Sequence, residues 1–205
     1  MLTLYYSKAS SALAPHILLQ EVGATYAVHE VPIDKGAQHD TAFLKVNPKA
    51  RVPALMTPEG VITENPAILG YIAATHPHAN MLPDTPFERA RADELNAYLC
   101  ATMHVAYAHL LRGARWVDDE AAQNAMKNKV ASNIADCATM IETHYLKGPW
   151  ALGEHYTMCD AYLMMVPLWM KKAGVDLVNY PRIATHHRAM LDRPATLSVM
   201  AVHGL

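Results

Sequence analysis

The chain has 205 residues, of which 52% are hydrophobic and 18% charged, so it is long and apolar enough to bury a sizeable core and disorder is not expected. Its formal net charge of −2 argues against nucleic-acid binding, and no apolar run approaches the roughly 20 residues that span a bilayer. Cys100, Cys137 and Cys159 lie far apart and are expected to be reduced thiols of a cytoplasmic protein. No HExxH or CxxC motif occurs, so no metal site is predicted.

Strand and helix patterns alternate in the first part of the chain. The predicted elements, in chain order, are a strand over residues 2–7, a helix to about Val22, a strand over 26–31, a helix over 41–46, two short strands around Val52 and Val61, and a helix over 65–75. Ser10 or Ser11 is the predicted cap of the first helix. The first two strands fit a parallel crossover, whereas the last two are joined too tightly to be parallel. The N-terminus begins directly with a strand and lacks the charged segment of a signal peptide.

Strand signals disappear after a proline-rich segment at residues 75–86, which predicts a linker. The predicted helices after it cover residues 87–112, 120–144, 183–193 and 195–202. Between the second and the third of these, a further helix is predicted to start at Thr157 and to be kinked by Pro167. Thr157 and Asp160 have the spacing of a capping box. The sequence therefore predicts an α/β half of order βαβ-α-ββα followed by an all-helical bundle.

Residues 51–56 and 64–68 carry the strongest functional signal. Pro53 has no N–H for a β-ladder and is expected at a strand entrance, where a cis bond leaves the Val52 N–H and C=O free to pair with an extended peptide. Asn65 is a favoured N-cap and Pro66 fits the first helical position. The helix amides attract a carboxylate and Glu64 attracts an ammonium, so the pattern fits both ends of a small zwitterion.

These two segments resemble the glutathione-binding, thioredoxin-like half of a glutathione S-transferase. Residues 153–163 and 193–195 resemble later landmarks of that family, and residues 4–7 with 13–16 are most similar to its bacterial beta class. The resemblance covers nearly the whole chain and implies a thioredoxin-like glutathione-binding domain over residues 1–77, a linker over 78–86 and an all-helical domain over 87–205. It also implies a cytoplasmic, homodimeric detoxification enzyme with glutathione as co-substrate and a small hydrophobic electrophile as its partner.

The resemblance further implies which residues activate the sulfur. The beta class has a cysteine at the position of Ser11, so this chain departs from its class, and Ser11 or its neighbour Ser10 is the expected hydrogen-bond donor. A serine cannot exchange disulfides, which favours conjugation chemistry. Tyr5 is a rival donor but is expected to pack in the core. His104 is expected to face the glutathione sulfur.

The remaining implied residues hold the tripeptide. Val52, beside Pro53, would pair with the cysteinyl backbone, and Glu64 would take the γ-glutamyl ammonium. Asn65 would take the γ-glutamyl carboxylate, although the family usually has a smaller serine there. Lys35 would lie near the glycyl end.

Tyr107 and Trp169 are possible walls of an electrophile pocket, although core packing is expected for both. Two other interpretations remain open. In the first, the chain is a glutathione-dependent isomerase, peroxidase or dehalogenase on the same fold. In the second, it is a non-catalytic binding protein that has lost the activating cysteine.

Overall fold

A computed structural model describes residues 1–205 and places a four-stranded mixed sheet, of strand order β2-β1-β3-β4, in the first part of the chain. Its elements are β1 Leu2–Tyr6, α1 Leu13–Glu21, β2 Tyr26–Glu30, α2 Thr41–Val46, β3 Ala54–Thr57, β4 Gly60–Thr63 and α3 Asn65–Thr75. Leu4 lies opposite Val28 in the parallel β1–β2 pair and opposite Leu55 in the antiparallel β1–β3 pair, and β4 is antiparallel to β3. The predicted βαβ-α-ββα order is confirmed.

The rest of the chain is helical, as predicted. Its helices are α4 Pro86–Tyr98, α5 His104–Ala108, α6 Glu120–Met140, α7 Met158–Leu163, α8 Met165–Ala173, α9 Pro181–Leu191 and α10 Pro194–His203. A π-helical turn over Leu99–Met103 joins α4 to α5, and a second one over Ile141–Tyr145 follows α6. None of the helices combines the length and the hydropathy that crossing a bilayer requires.

The helix predicted to reach residue 112 ends at Ala108 instead. A short 3-10 helix over Gly113–Arg115 follows, and the chain then turns into α6. Gly113 packs so closely on α6 that an added Cβ would lie 3.1 Å from the Cβ of Gln123. The helix predicted to be kinked by Pro167 is interrupted at Met164, between α7 and α8. Pro167 has no N–H to donate to the carbonyl four residues before it, which weakens the helix at this turn.

Two of the predicted helix caps are wrong. The N-cap of α1 is Ala12, and Ser10 supports the turn before it by accepting a hydrogen bond from the Ala12 N–H at 3.3 Å. The N-cap of α3 is Glu64, and Asn65 is already the first helical residue. The side chain of Asn65 is buried and donates to the Ser11 carbonyl oxygen at 3.2 Å, so it reaches across the fold rather than back over its own helix.

The predicted capping box at the start of α7 is confirmed. The Thr157 N–H donates to Asp160 Oδ2 at 2.8 Å, and the Cys159 N–H donates to Thr157 Oγ1 at 3.4 Å. Asp160 is fully buried and also accepts from His186 Nε2 at 2.9 Å. These bonds satisfy a carboxylate that would otherwise be costly to bury.

The two halves share one core through α1, which packs against α3 of the first half and against α7 and α10 of the helical half. Leu13, Ile17 and Leu18 of this helix are fully buried. The guanidinium of Arg193 makes two hydrogen bonds, of 2.6 and 2.7 Å, to the Glu21 carboxylate and so links the start of α10 to the end of α1. The segment that precedes α1 is therefore held at the boundary between the halves. The three cysteines are free thiols, as predicted.

Candidate functional site

A cleft of about 520 Å³ opens between the two halves. The first half contributes, among other residues, Ser10, Ser11, Val52, Pro53, Glu64 and Asn65 to its wall. The helical half contributes Cys100, His104, Tyr107, Arg112, Trp116 and Trp169. Segments that are distant in the sequence, and that were singled out for separate reasons, therefore face one cavity.

The two candidate serines have different surroundings. The Ser10 hydroxyl donates to the Ser7 carbonyl oxygen at 2.7 Å and accepts from the Ala12 N–H, so both of its roles are local. The Ser11 side chain lines the cleft, is largely buried, and forms no hydrogen bond with any protein group. Its backbone N–H likewise has no partner and lies in the turn that leads into α1. A group with negative charge placed beside Ser11 would therefore meet two unused donors.

The Val52–Pro53 peptide bond is cis, as the sequence predicts. Val52 lies just before β3 and outside the sheet ladder, since the β1–β3 pairing ends at Ala54. Neither its N–H nor its C=O has a backbone partner, although both belong to a residue that lines the cleft. An unpaired donor and an unpaired acceptor on one residue are what an extended peptide needs in order to add alongside a strand.

Glu64 and Asn65 meet the cleft at the start of α3. Glu64 has a φ of 74°, which is uncommon for a residue other than glycine and is often seen at functional sites. Its carboxylate is half exposed and lies 2.7 Å from Lys49 Nζ. The Asn65 amide nitrogen donates a hydrogen bond to the Ser11 carbonyl oxygen, whereas Asn65 Oδ1 is buried and has no hydrogen-bond partner. Asn65 therefore ties the start of α3 to the serine segment and does not project freely into the cleft.

His104 lies directly after the π-helical turn, a distortion that is common at functional sites. Its ring stacks on Trp169 with centroids 4.8 Å apart, and Tyr107 lies 5.8 Å from the same indole. Burial, followed by the positive charges of Arg112, Arg115 and Arg51, lowers the pKa of His104 to about 4. The imidazole is therefore neutral near neutral pH. Trp169 fills the core, as predicted, and also forms part of the cleft wall.

Two residues are not brought to this cleft. Lys35 lies in a 3-10 turn and lines a separate surface groove with Ser7 and Glu30, so it is not part of the cleft wall described above. Tyr5 packs between His29 and Phe43, with ring centroids 5.0 and 5.9 Å away, and is absent from the cleft wall. The expectation that Tyr5 packs in the fold agrees with this placement.

Sequence reasoning missed the arginines of the cleft. Arg51, Arg112 and Arg115 all line it, together with Trp116. The sequence did contain a sign of these arginines, because Arg112 and Arg115 enclose Gly113 and Ala114 in a chain of which only 18% is charged. It was hidden by the periodicity that extended the preceding helix to residue 112.

Comparison with known proteins matches residues 1–74 to the model of the glutathione S-transferase N-terminal domain. Over its full length, the chain superimposes with a TM-score of 0.97 on a glutathione transferase homologue from Sulfitobacter, solved with bound glutathione, at 35% identity and with 99% of that chain covered. It is 26% identical to a glutathione S-transferase of Xanthomonas campestris pv. campestris, with 98% of both chains aligned. It is also 28% identical to a maleylacetoacetate isomerase of Pseudomonas aeruginosa, over 87% of this chain and 85% of that one.

Proposed function

The chain belongs to the glutathione S-transferase family of enzymes, and from this premise we propose that it conjugates the thiolate of glutathione to small hydrophobic electrophiles. One observation carries the proposal. The unpaired backbone of Val52, the unpaired hydroxyl of Ser11 and the carboxylate of Glu64 all line a single cleft. These groups match the backbone, the sulfur and the ammonium of one extended tripeptide.

Val52 binds glutathione by pairing its free N–H and C=O with the cysteinyl residue, and Pro53 keeps this stretch out of the sheet. Glu64 binds the γ-glutamyl ammonium, for which its half-exposed carboxylate is available beside Lys49. The γ-glutamyl carboxylate binds at the start of α3, where the first turn of the helix has free N–H groups. Asn65 positions this turn through its bond to Ser11.

The glycyl carboxylate requires a different partner from the one that the resemblance implies. Lys35 lies in another groove, whereas Arg51 precedes Val52 directly and lines the cleft. Arg51 therefore takes the glycyl carboxylate in this proposal. A guanidinium binds a carboxylate through two parallel hydrogen bonds, which an ammonium cannot provide.

Ser11 is the catalytic donor. Its hydroxyl and N–H stabilise the thiolate over the thiol, and the turn into α1 adds the favourable end of a helix dipole. Ser10 supports this turn through Ser7 and is a positioning residue. His104, neutral because its pKa is low, supplies a further N–H from the opposite wall. The stabilised sulfur then attacks an electrophilic carbon held against Tyr107 and Trp169.

The same proposal covers organisation and location. Residues 1–77 form the glutathione-binding domain, 78–86 the linker and 87–205 the helical domain that supplies the electrophile wall. The chain works in the cytoplasm as a homodimer in detoxification. Large apolar side chains such as Phe87, which is 74% exposed, are compatible with a subunit interface. Light scattering of the purified protein tests the dimer, and a monomeric mass would refute it.

A second candidate is a glutathione-dependent isomerase, which is favoured by the similarity to the Pseudomonas aeruginosa maleylacetoacetate isomerase. Both reactions begin with attack by the same thiolate, so the site does not distinguish them. Their stoichiometry does, because a transferase consumes one glutathione per turnover and an isomerase returns it. Product analysis with a cis-enone that can either isomerise or form an adduct decides between the two.

The test of the main proposal starts with glutathione affinity, measured by calorimetry and by retention on immobilised glutathione. Turnover of a model aryl halide follows, for the wild type and for Ser11→Ala. Ser132→Ala is the matched control, because Ser132 is an exposed serine on α6 that is remote from the cleft. A folded protein that neither binds glutathione nor turns over the halide would refute the proposal. Binding without conjugation, but with isomerisation of the enone, would favour the second candidate.

A further inference from the structure

The arginines of the cleft differ from every other arginine in the chain. There are eight, and the five outside the cleft each make a side-chain hydrogen bond to a protein acceptor: Arg89, Arg91, Arg182, Arg188 and Arg193. Arg51, Arg112 and Arg115, which line the cleft, make no side-chain hydrogen bond and no ion pair. The fold thus provides partners for arginines elsewhere and leaves these three guanidinium groups free in one cavity.

The cleft also lacks the negative charge that would compensate them. Glu64 is the one acidic residue of its wall, so a single carboxylate, which also lies 2.7 Å from Lys49 Nζ, faces three guanidinium groups. Partial burial, followed by the charges of Arg112 and Arg51, lowers the pKa of Arg115, as expected for like charges that lie close together. The same three charges contribute to the low pKa of His104. The cleft therefore has a positive potential that an anionic ligand would relieve.

One arginine is accounted for by glutathione. In the proposed function, on which this inference rests, Arg51 binds the glycyl carboxylate. Arg112 and Arg115 come from the segment after α5, which also carries Trp116 into the cleft wall, and Tyr107 of α5 lines the same wall. They therefore belong to the wall that faces the second substrate.

We propose that Arg112 and Arg115 bind a carboxylate carried by the electrophile, so that the preferred second substrates are small unsaturated or aromatic acids rather than neutral hydrophobic compounds. The aromatic side chains of the wall contact the flat apolar body of such a molecule. The two guanidinium groups fix its anionic end through bidentate hydrogen bonds. The electrophilic carbon is thereby oriented towards the sulfur, and no further chemical step is required.

A binding experiment tests this without requiring turnover. Calorimetry compares glutathione with S-(p-carboxybenzyl)glutathione and S-(p-carbamoylbenzyl)glutathione. All three share the tripeptide, and the two conjugates differ from each other only in the charge at the far end. We expect the carboxylate to bind the wild type about tenfold or more tightly than the amide, since hydrogen bonds to charged groups are strong. In Arg112→Gln and Arg115→Gln this ratio should fall towards one. In Arg188→Gln, which removes an arginine outside the cleft, it should not change.

The remaining outcomes separate this inference from the proposed function. Equal affinity of the wild type for the carboxylate and the amide overturns the inference, as does a ratio that survives both substitutions. If the Arg112 and Arg115 variants lose affinity for glutathione itself as much as for the conjugates, the two arginines hold glutathione's own carboxylate and the inference is also overturned. If a folded wild type binds none of the three compounds, the proposed function fails as well.

Discussion

Replacing Ser11 by alanine removes one hydroxyl that has no hydrogen bond within the protein, so the substitution should leave the fold intact. Ser11 is largely buried at the cleft wall, and removing its hydroxyl creates only a small void there. If its hydroxyl donates to the thiolate, the lost bond to a charged acceptor is worth about 1.5–3 kcal/mol. Because one pKa unit corresponds to about 1.4 kcal/mol, the pKa of the bound glutathione thiol should rise by about 1–2 units.

The assay follows the ultraviolet absorbance of the thiolate of bound glutathione as a function of pH, in the wild type and the variant. At a pH below the thiol pKa of the wild type, kcat/KM for an aryl halide should fall by about ten- to 150-fold. The affinity for S-methylglutathione, which has no ionisable sulfur, should change little. A loss of affinity for this analogue would indicate a damaged site rather than a lost donor.

Ser10→Ala is the informative comparison, because the two serines are adjacent and their hydroxyls have different partners. The Ser10 hydroxyl donates to the Ser7 carbonyl oxygen at 2.7 Å, so removing this hydroxyl should lower the free energy of unfolding by about 0.5–1.5 kcal/mol. The thiol pKa should shift less than in Ser11→Ala. If instead Ser10→Ala raises the thiol pKa and Ser11→Ala does not, the assignment of the donor from the hydrogen bonds is refuted.

Three further predictions concern other parts of the structure. Glu64→Gln should weaken glutathione binding about tenfold or more in calorimetry, because the ammonium loses its charged partner, and an unchanged affinity would place the ammonium elsewhere. Asp160→Ala should cost about 3–5 kcal/mol in urea unfolding, since it leaves the buried His186 and two backbone N–H groups without their acceptor, and a loss below about 1 kcal/mol would contradict this. Burial lowers the pKa of both His16 and His203 to about 4, so between about pH 6.5 and 4 the unfolded chain binds more protons and stability falls with decreasing pH. One linked proton contributes at most about 3.4 kcal/mol over this range, and His203→Gln should flatten the pH dependence of urea unfolding.

Local motifs were the part of the site that the sequence could predict. Val52 with Pro53 encodes a strand entrance, and Thr157 with Asp160 encodes a capping box, because each depends on the chemistry of residues that are near neighbours in the chain. The order of strands and helices followed from periodicity for the same reason. Asn65 shows the limit of this approach. It was predicted as a helix cap, but its amide bonds to Ser11, which is distant in the sequence and close only in the fold.

Features that depend on where an element ends could not be predicted. The apolar spacing after residue 87 continues past Ala108, yet α5 ends there, and the following segment packs closely on α6 at Gly113. Arg112 and Arg115 lie beyond this end and line the cleft, a placement that depends on tertiary packing and not on local periodicity. The choice between the two serines is similar, since it depends on which hydroxyl reaches the Ser7 carbonyl in a turn without regular structure.

The serine at position 11 also limits the chemistry open to the cleft. Disulfide exchange with glutathione needs a protein thiolate, and Cys100 is the one cysteine of the cleft wall. Burial, followed by the charge of Glu64, raises the pKa of Cys100, so its sulfur remains a thiol at neutral pH. In the proposed function, the hydroxyl of Ser11 and the positive potential of the arginines instead stabilise negative charge on the ligand's sulfur. A cleft that ionises the substrate's thiol and keeps its own thiol protonated favours attack on carbon over exchange at sulfur.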